Sequence, residues 1–228
     1  MTERLPPETL EQVARAYGQY EGGVIVRSLL DGVEGAEAVL GVTEPKLDVS
    51  VEVVDKEEWA GGIRATGDED GIRVTLGAQA PAQYLTRAAY RVGAHEAGHA
   101  FRHMIPGAYQ DYNDLNAFHR TVDEGYAECV KHAVVLGDNY APEGLLNLTA
   151  AERKSYDDAL VELLCGDRIL PETQAAYLDF HRGNTKYGDP YKVGHYLFAT
   201  YGVHNDLGVR ELAAVGYQEL EDFAGTML

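Results

Sequence analysis

His95 and His99 bracket Glu96-Ala97-Gly98 in the pattern H-E-x-x-H, which on a helix puts two imidazoles one turn apart on a single face. Rings placed in this way grip one metal ion, and Glu96, next to the first ring, can address a water that such an ion activates. The chemistry implied by this spacing is metal-assisted hydrolysis. It requires a helix, and residues 86–105 supply one. They contain no proline, are rich in Ala and Arg, and stop at Pro106-Gly107, with Thr86 as the expected N-cap. Ala88, Val92, Ala100 and Phe101 give that helix an apolar face, and the small Ala94, Ala97 and Gly98 leave room for another element to approach.

A catalytic zinc usually keeps three protein ligands and one open position, so a third ligand is needed. One arrangement puts a histidine six residues after the second, behind a glycine at the third, but Ile105 and Arg102 hold those positions here. The other takes a glutamate from a following helix. Residues 121–128, Thr-Val-Asp-Glu-Gly-Tyr-Ala-Glu, open an apolar run (Cys129, Val130, Ala133, Val134, Val135, Leu136) that Gly137 closes, and Glu124 is the chosen ligand. Asp111, Asp114, His119 and Asp123 are the alternatives. Thr121-x-x-Glu124 also has capping-box spacing, in which the glutamate would only tie off a first turn.

The segment VDEGYAE, residues 122–128, is similar to the one that carries the glutamate ligand in gluzincin metallopeptidases, such as the aminopeptidases and their leukotriene-hydrolase relatives. The resemblance implies Zn²⁺ held by His95, His99 and Glu124, with Glu96 as general base. It also implies that Glu128, one turn after Glu124, hydrogen-bonds a zinc-bound histidine. Pairing of Glu128 with Lys131 or His132 on a solvated face is the competing reading. Residues 190–197, PYKVGHYL, resemble the family stretch in which a tyrosine three positions before a glycine donates its hydroxyl to the developing oxyanion; Tyr191 matches it, with His195 as the substitute donor. In gluzincins the strand before the metal helix is an edge that pairs with extended substrate, which would make residues 72–78 that edge, presenting Ile72, Val74 and Leu76.

The three segments occur in the family's order across roughly residues 88–202, although the interval from His99 to Glu124 is longer than in the aminopeptidases. No G-x-M-E-N segment lies upstream. The likeness therefore points to small minigluzincin-type proteins and to an endopeptidase acting on a peptide or protein. A reading from another class is a non-catalytic, zinc-stabilised peptide-binding or regulatory module, which a fourth ligand from His119 or Asp123 would favour.

The elements that must position these residues suggest an α+β chain. A helix over residues 8–20 is followed by a Gly- and Glu-rich stretch to Pro45 that reads as loop, strand or arm, so residues 1–45 form a candidate regulatory segment. Residues 46–228 form the zincin-like metallopeptidase domain. Within it, residues 46–106 give a small sheet plus the metal helix, and residues 107–228 a mainly helical subdomain. Residues 47–55 and 71–77 alternate as strands, with a turn at 67–71. Capping-box residues Thr149 and Glu152 open a helix toward Leu164, Pro171 opens another toward His181, Pro190 starts the Tyr191 helix, and residues 209–223 form a last amphipathic helix.

With 228 residues, 45% hydrophobic and 25% charged, the chain can bury a substantial core. Its start, MTERLPPETL, lacks the basic and apolar regions of a signal peptide, no membrane span is visible, and two cysteines build no disulfide framework, so cytoplasmic residence is expected. The net charge of −18, with six lysines among nineteen basic residues, is the surface expected of a halophilic protein whose self-repulsion is screened by salt. An acidic face that attracts basic peptides is the rival explanation. Under either reading so acidic a chain is a poor nucleic-acid binder.

Overall fold

The computed structural model describes residues 4–43, 46–55, 62–106, 108, 116–142, 147–166, 179–184 and 186–227. It is an α+β structure, mostly helical with one small mixed sheet. Two compact units are present, Met1–Met104 with Ala133–Val135, and Ile105–His132 with Leu136–Leu228.

In the first unit, β1 (Val49–Val54), β2 (Ile63–Asp68) and β3 (Gly71–Gly77) assemble in the order β1-β3-β2. β3 runs parallel to β1 and antiparallel to β2. This corrects the expectation that β3 is a substrate edge. Val74 lies opposite Val51 on one side and Ala65 on the other, so both of its backbone edges are engaged. Ile72, Val74 and Leu76 are each 1% exposed and belong to the core. Alternating valines report a half-buried pleat, not a strand's place in the sheet order. The strand that sequence reading missed, β2, is the outer one, and its Arg-Ala-Thr-Gly-Asp composition carries little strand signal.

The helix that carries the H-E-x-x-H motif, α3, spans Ala82–His103 and starts a turn earlier than expected, with Pro81 at the cap position. Thr86 is not its N-cap. Its hydroxyl lies inside the helix and donates to the Ala82 carbonyl at 3.0 Å. Before the sheet come α1 (Pro7–Tyr17) and α2 (Gln19–Leu40), and the stretch that read as loop, strand or arm is this 22-residue helix. Four glycines weaken its intrinsic preference, but Ile25, Leu29, Val33, Ala36 and Leu40 form a buried stripe at helical spacing that outweighs them. α2 packs along α3. A Cβ on Gly32 would lie 2.1 Å from the Tyr90 carbonyl oxygen, so the two helices meet backbone to backbone there.

The start of the chain is held by a buried acid. The fully buried Glu37 carboxylate receives Arg4 Nη2 at 2.9 Å, the Leu47 backbone N–H at 2.9 Å and Lys46 at 3.3 Å. Its desolvation is offset by two cations and a backbone donor. Tyr17 adds a hydrogen bond to the Gly77 carbonyl at 2.7 Å.

The second unit is helical: α4 (Ala117–Leu136, whose residues 133–135 count with the first unit), α5 (Ala150–Cys165), α6 (Pro190–Asn205), α7 (Val209–Leu212) and α8 (Tyr217–Met227). The Thr149–Glu152 capping box forms as expected. Asp189 caps α6, accepting from the Tyr191 N–H at 3.1 Å. The single helix expected over 209–223 is instead two, interrupted at residues 213–216. The expected helix opening at Pro171 lies outside the described residues except for a helical turn at 179–181. Phenols tie the bundle together: Tyr196 donates to Asp157 at 3.1 Å, Tyr217 to Asp123 at 2.9 Å, and Tyr201 to Glu219.

Two glycines of α2 should respond in opposite directions to the same change. Gly32→Ala should cost about 2 kcal/mol through overpacking against α3. Gly23, exposed and with nothing within 4 Å of an added Cβ, should gain about 0.5–1 kcal/mol as alanine. Urea denaturation of both variants checks the pair, and equal effects would rule out the backbone contact as the cause.

Candidate metal centre

α3 brings the two histidines together. His95 Nε2 and His99 Nε2 stand 3.2 Å apart, with the rings at 80° and their centroids 4.8 Å apart. Two imidazole nitrogens each about 2.0–2.1 Å from one tetrahedral zinc would be separated by about 3.3 Å, so the pair already has the spacing that a shared ion requires. His95 is buried and His99 half-buried. Glu96 is half-buried, and its carbonyl is covered by β2, where a Cβ on Gly67 would lie 2.0 Å from it. The outer strand thus passes the H-E-x-x-H motif at the Glu96 carbonyl. His103, a turn beyond His99, lies 3.9 Å from Glu69.

In the second unit, α4 and α6 cross in direct backbone contact at two glycines. A Cβ on Gly125 would fall 2.2 Å from the Gly194 carbonyl carbon, and one on Gly194 would fall 1.9 Å from the Thr121 carbonyl oxygen. The glycines of DEGYAE and PYKVGH are therefore the residues that let these helices touch, immediately beside Glu124 and three positions after Tyr191. The Tyr191 hydroxyl lies 3.2 Å from His181 Nδ1, and the same nitrogen lies 3.6 Å from Glu124 Oε1. His181 was missed as a site residue because it belongs to no motif and its neighbours in the chain carry no spacing signal. The capping-box reading of Glu124 fails. α4 opens four residues before Thr121, where the Asn116 side chain accepts from the Phe118 and His119 N–H groups, leaving Glu124 in the helix interior.

His95, His99 and Glu124 form the group of His, Cys, Asp or Glu side chains that could hold a metal ion among the described residues; their ligand atoms all lie within 4.8 Å of one another. Their two-nitrogen, one-oxygen donor set suits zinc. The alternative ligands His119 and Asp123 gather instead about Tyr217, whose ring lies 4.2 Å from that of His119 and whose hydroxyl donates to Asp123. Asp111 and Asp114 lie outside the described residues.

Glu128 is buried and takes the Lys131 ammonium, with His132 Nδ1 at 4.0 Å. That is the pairing named as the competing reading, although it forms in a buried position and not on a solvated face. His195, the substitute donor, is stacked on His132 at 4.4 Å, and its Nε2 meets no hydrogen-bond partner among the described residues. Burial and the neighbouring His132 push its pKa down to about 3, so it is a neutral ring in the folded chain. Cys129 is held by burial as a thiol, its pKa pushed up to about 12. Both cysteines are free.

No helix among the described residues is long and apolar enough to cross a membrane. No family model, curated protein or solved structure matches the chain.

Substituting Gly194 by Ala should cost about 3 kcal/mol in urea denaturation, because backbone on α4 and not a flexible side chain would have to move; a cost below 1 kcal/mol would contradict the crossing. His195 predicts an acid sensitivity. The unfolded chain protonates this imidazole near pH 6.5 and the folded chain only near 3, so its contribution is present above pH 6.5 and is lost as the pH falls through that window. His195→Gln should lose less stability than the native chain between pH 7 and pH 4.5, as read from urea midpoints at the two values.

Proposed function

We propose that the chain is a zinc-dependent, peptidase-like hydrolase of the gluzincin type, an endopeptidase acting on peptide or protein substrates. The observation that carries the reading is the grouping of the His95, His99 and Glu124 ligand atoms within 4.8 Å, with the two histidine nitrogens at a separation that suits one ion. Zinc bound by these three residues would supply a Lewis acid and acidify a water that attacks the scissile carbonyl. Glu96, adjoining the first ligand in the motif, takes the proton of that water and delivers it to the leaving amine. Tyr191 donates its hydroxyl to the developing oxyanion, a contribution of about 3 kcal/mol for a preorganised donor.

A zincin-like architecture is part of the proposal. It is supported by the metal helix lying against a mixed sheet whose outer strand, β2, is antiparallel to its neighbour and passes over Glu96. β2 replaces β3 as the strand offered to extended substrate, since it pairs with β3 on one side and with no other strand among the described residues. A fourth ligand would favour the non-catalytic alternative, and neither His119 nor Asp123 belongs to the three-residue group.

Metal content measured by mass spectrometry on protein purified in high salt tests the reading. One zinc per native chain is expected, with a marked loss in Glu124→Ala. Glu96→Gln should retain the zinc and lose about a thousandfold in turnover of a peptide library. A native chain without metal, or a Glu96→Gln variant as active as native, would overturn it.

A further inference from the structure

We infer that His181 is a positioning residue that couples Glu124 to Tyr191; the inference rests on the proposed roles of those two residues. One nitrogen, Nδ1, lies 3.2 Å from the Tyr191 hydroxyl oxygen and 3.6 Å from Glu124 Oε1. The first is a hydrogen bond. The second is longer than one, and makes the carboxylate an electrostatic neighbour. An ionised carboxylate only accepts, so its field selects the imidazole tautomer that carries hydrogen on Nδ1. The opposite tautomer would face the carboxylate with a lone pair.

That choice fixes the direction of the phenol. With hydrogen on Nδ1, His181 donates to the Tyr191 oxygen, and the phenol's own hydrogen has to point away from the ring. It is then available to another acceptor, which is what an oxyanion donor requires. With hydrogen on Nε2 instead, the phenol would spend its hydrogen on Nδ1. His181 therefore sets the hydroxyl as a donor and places its N–H beside one oxygen of Glu124. Partners hydrogen-bonded to a ligand strengthen metal binding by about 10–100-fold, and an electrostatic neighbour at this distance should reach the lower end of that range.

Three substitutions separate the role from simple packing. His181→Asn keeps an N–H donor at the Nδ1 position, His181→Gln moves the donor to the Nε2 position, and His181→Leu removes it. The zinc dissociation constant is measured by chelator competition. The Tyr191 ring-carbon resonance, assigned through Tyr191→Phe, is followed in metal-free protein. Leu and Gln should each weaken zinc by about tenfold or more and shift the Tyr191 resonance, while Asn stays within about threefold of native with the resonance in place. Should Leu fail to fold, the contrast between Gln and Asn decides. Asn behaving like Gln, or an unmoved Tyr191 resonance in Gln and Leu, overturns the positioning role while leaving the zinc site intact. Failure of the native chain to bind zinc overturns the reading of the site itself.

Discussion

The contact between Gly125 and Gly194 governs the second unit. Helices usually keep 8–10 Å between their axes because side chains intervene, and a crossing with no Cβ on either partner brings backbone against backbone. Any side chain at these positions would meet main-chain atoms that cannot rotate out of the way. The crossing fixes the register of α4 against α6, and so the placing of Glu124 on one and Tyr191 on the other. His181 can bridge the two only because the helices that carry them are locked at this point.

The first unit solves a similar problem by similar means. α3 must hold two imidazoles at a separation of 3.2 Å, and it is braced by α2 on one flank and by β2 at the Glu96 carbonyl. Glycine permits the close approach in both places. Bracing of this kind means that the imidazole pair is set by packing, at a spacing that a shared ion would not need to change, which would lower the cost of binding.

Local geometry was legible in the sequence and the tertiary order was not. The i, i+4 histidines, the Thr149 capping box and the proline start of α6 are signals written within a few residues, and each was recovered. β3 was recognised as a strand but given the wrong place in the sheet, because alternation says nothing about what pairs on either side and β2 was too polar to be noticed as its partner. α2 was obscured by four glycines that lower helix propensity, of which Gly32 is there for the close approach to α3. His181 illustrates a different limit. Its relation to Glu124 and Tyr191 exists only in space, across sequence separations of 57 and 10 residues, and no spacing rule connects them.

The three phenols that tie the helices of the second unit together bear on how those contacts respond to ions in the solvent. Asp157, Asp123 and Glu219 are each met by a tyrosine hydroxyl. An uncharged donor satisfies the carboxylate's lone pairs by a short-range hydrogen bond, which a dissolved electrolyte screens far less than it screens attraction between two exposed charges. Tyr201 keeps its proton well into alkaline solution, since burial and Glu219 push its pKa up to about 12. In a chain with thirty-seven acidic residues and nineteen basic ones, these phenol contacts join helices without drawing on the scarce cations, and they are less sensitive to ionic strength than the repulsion among surface acids.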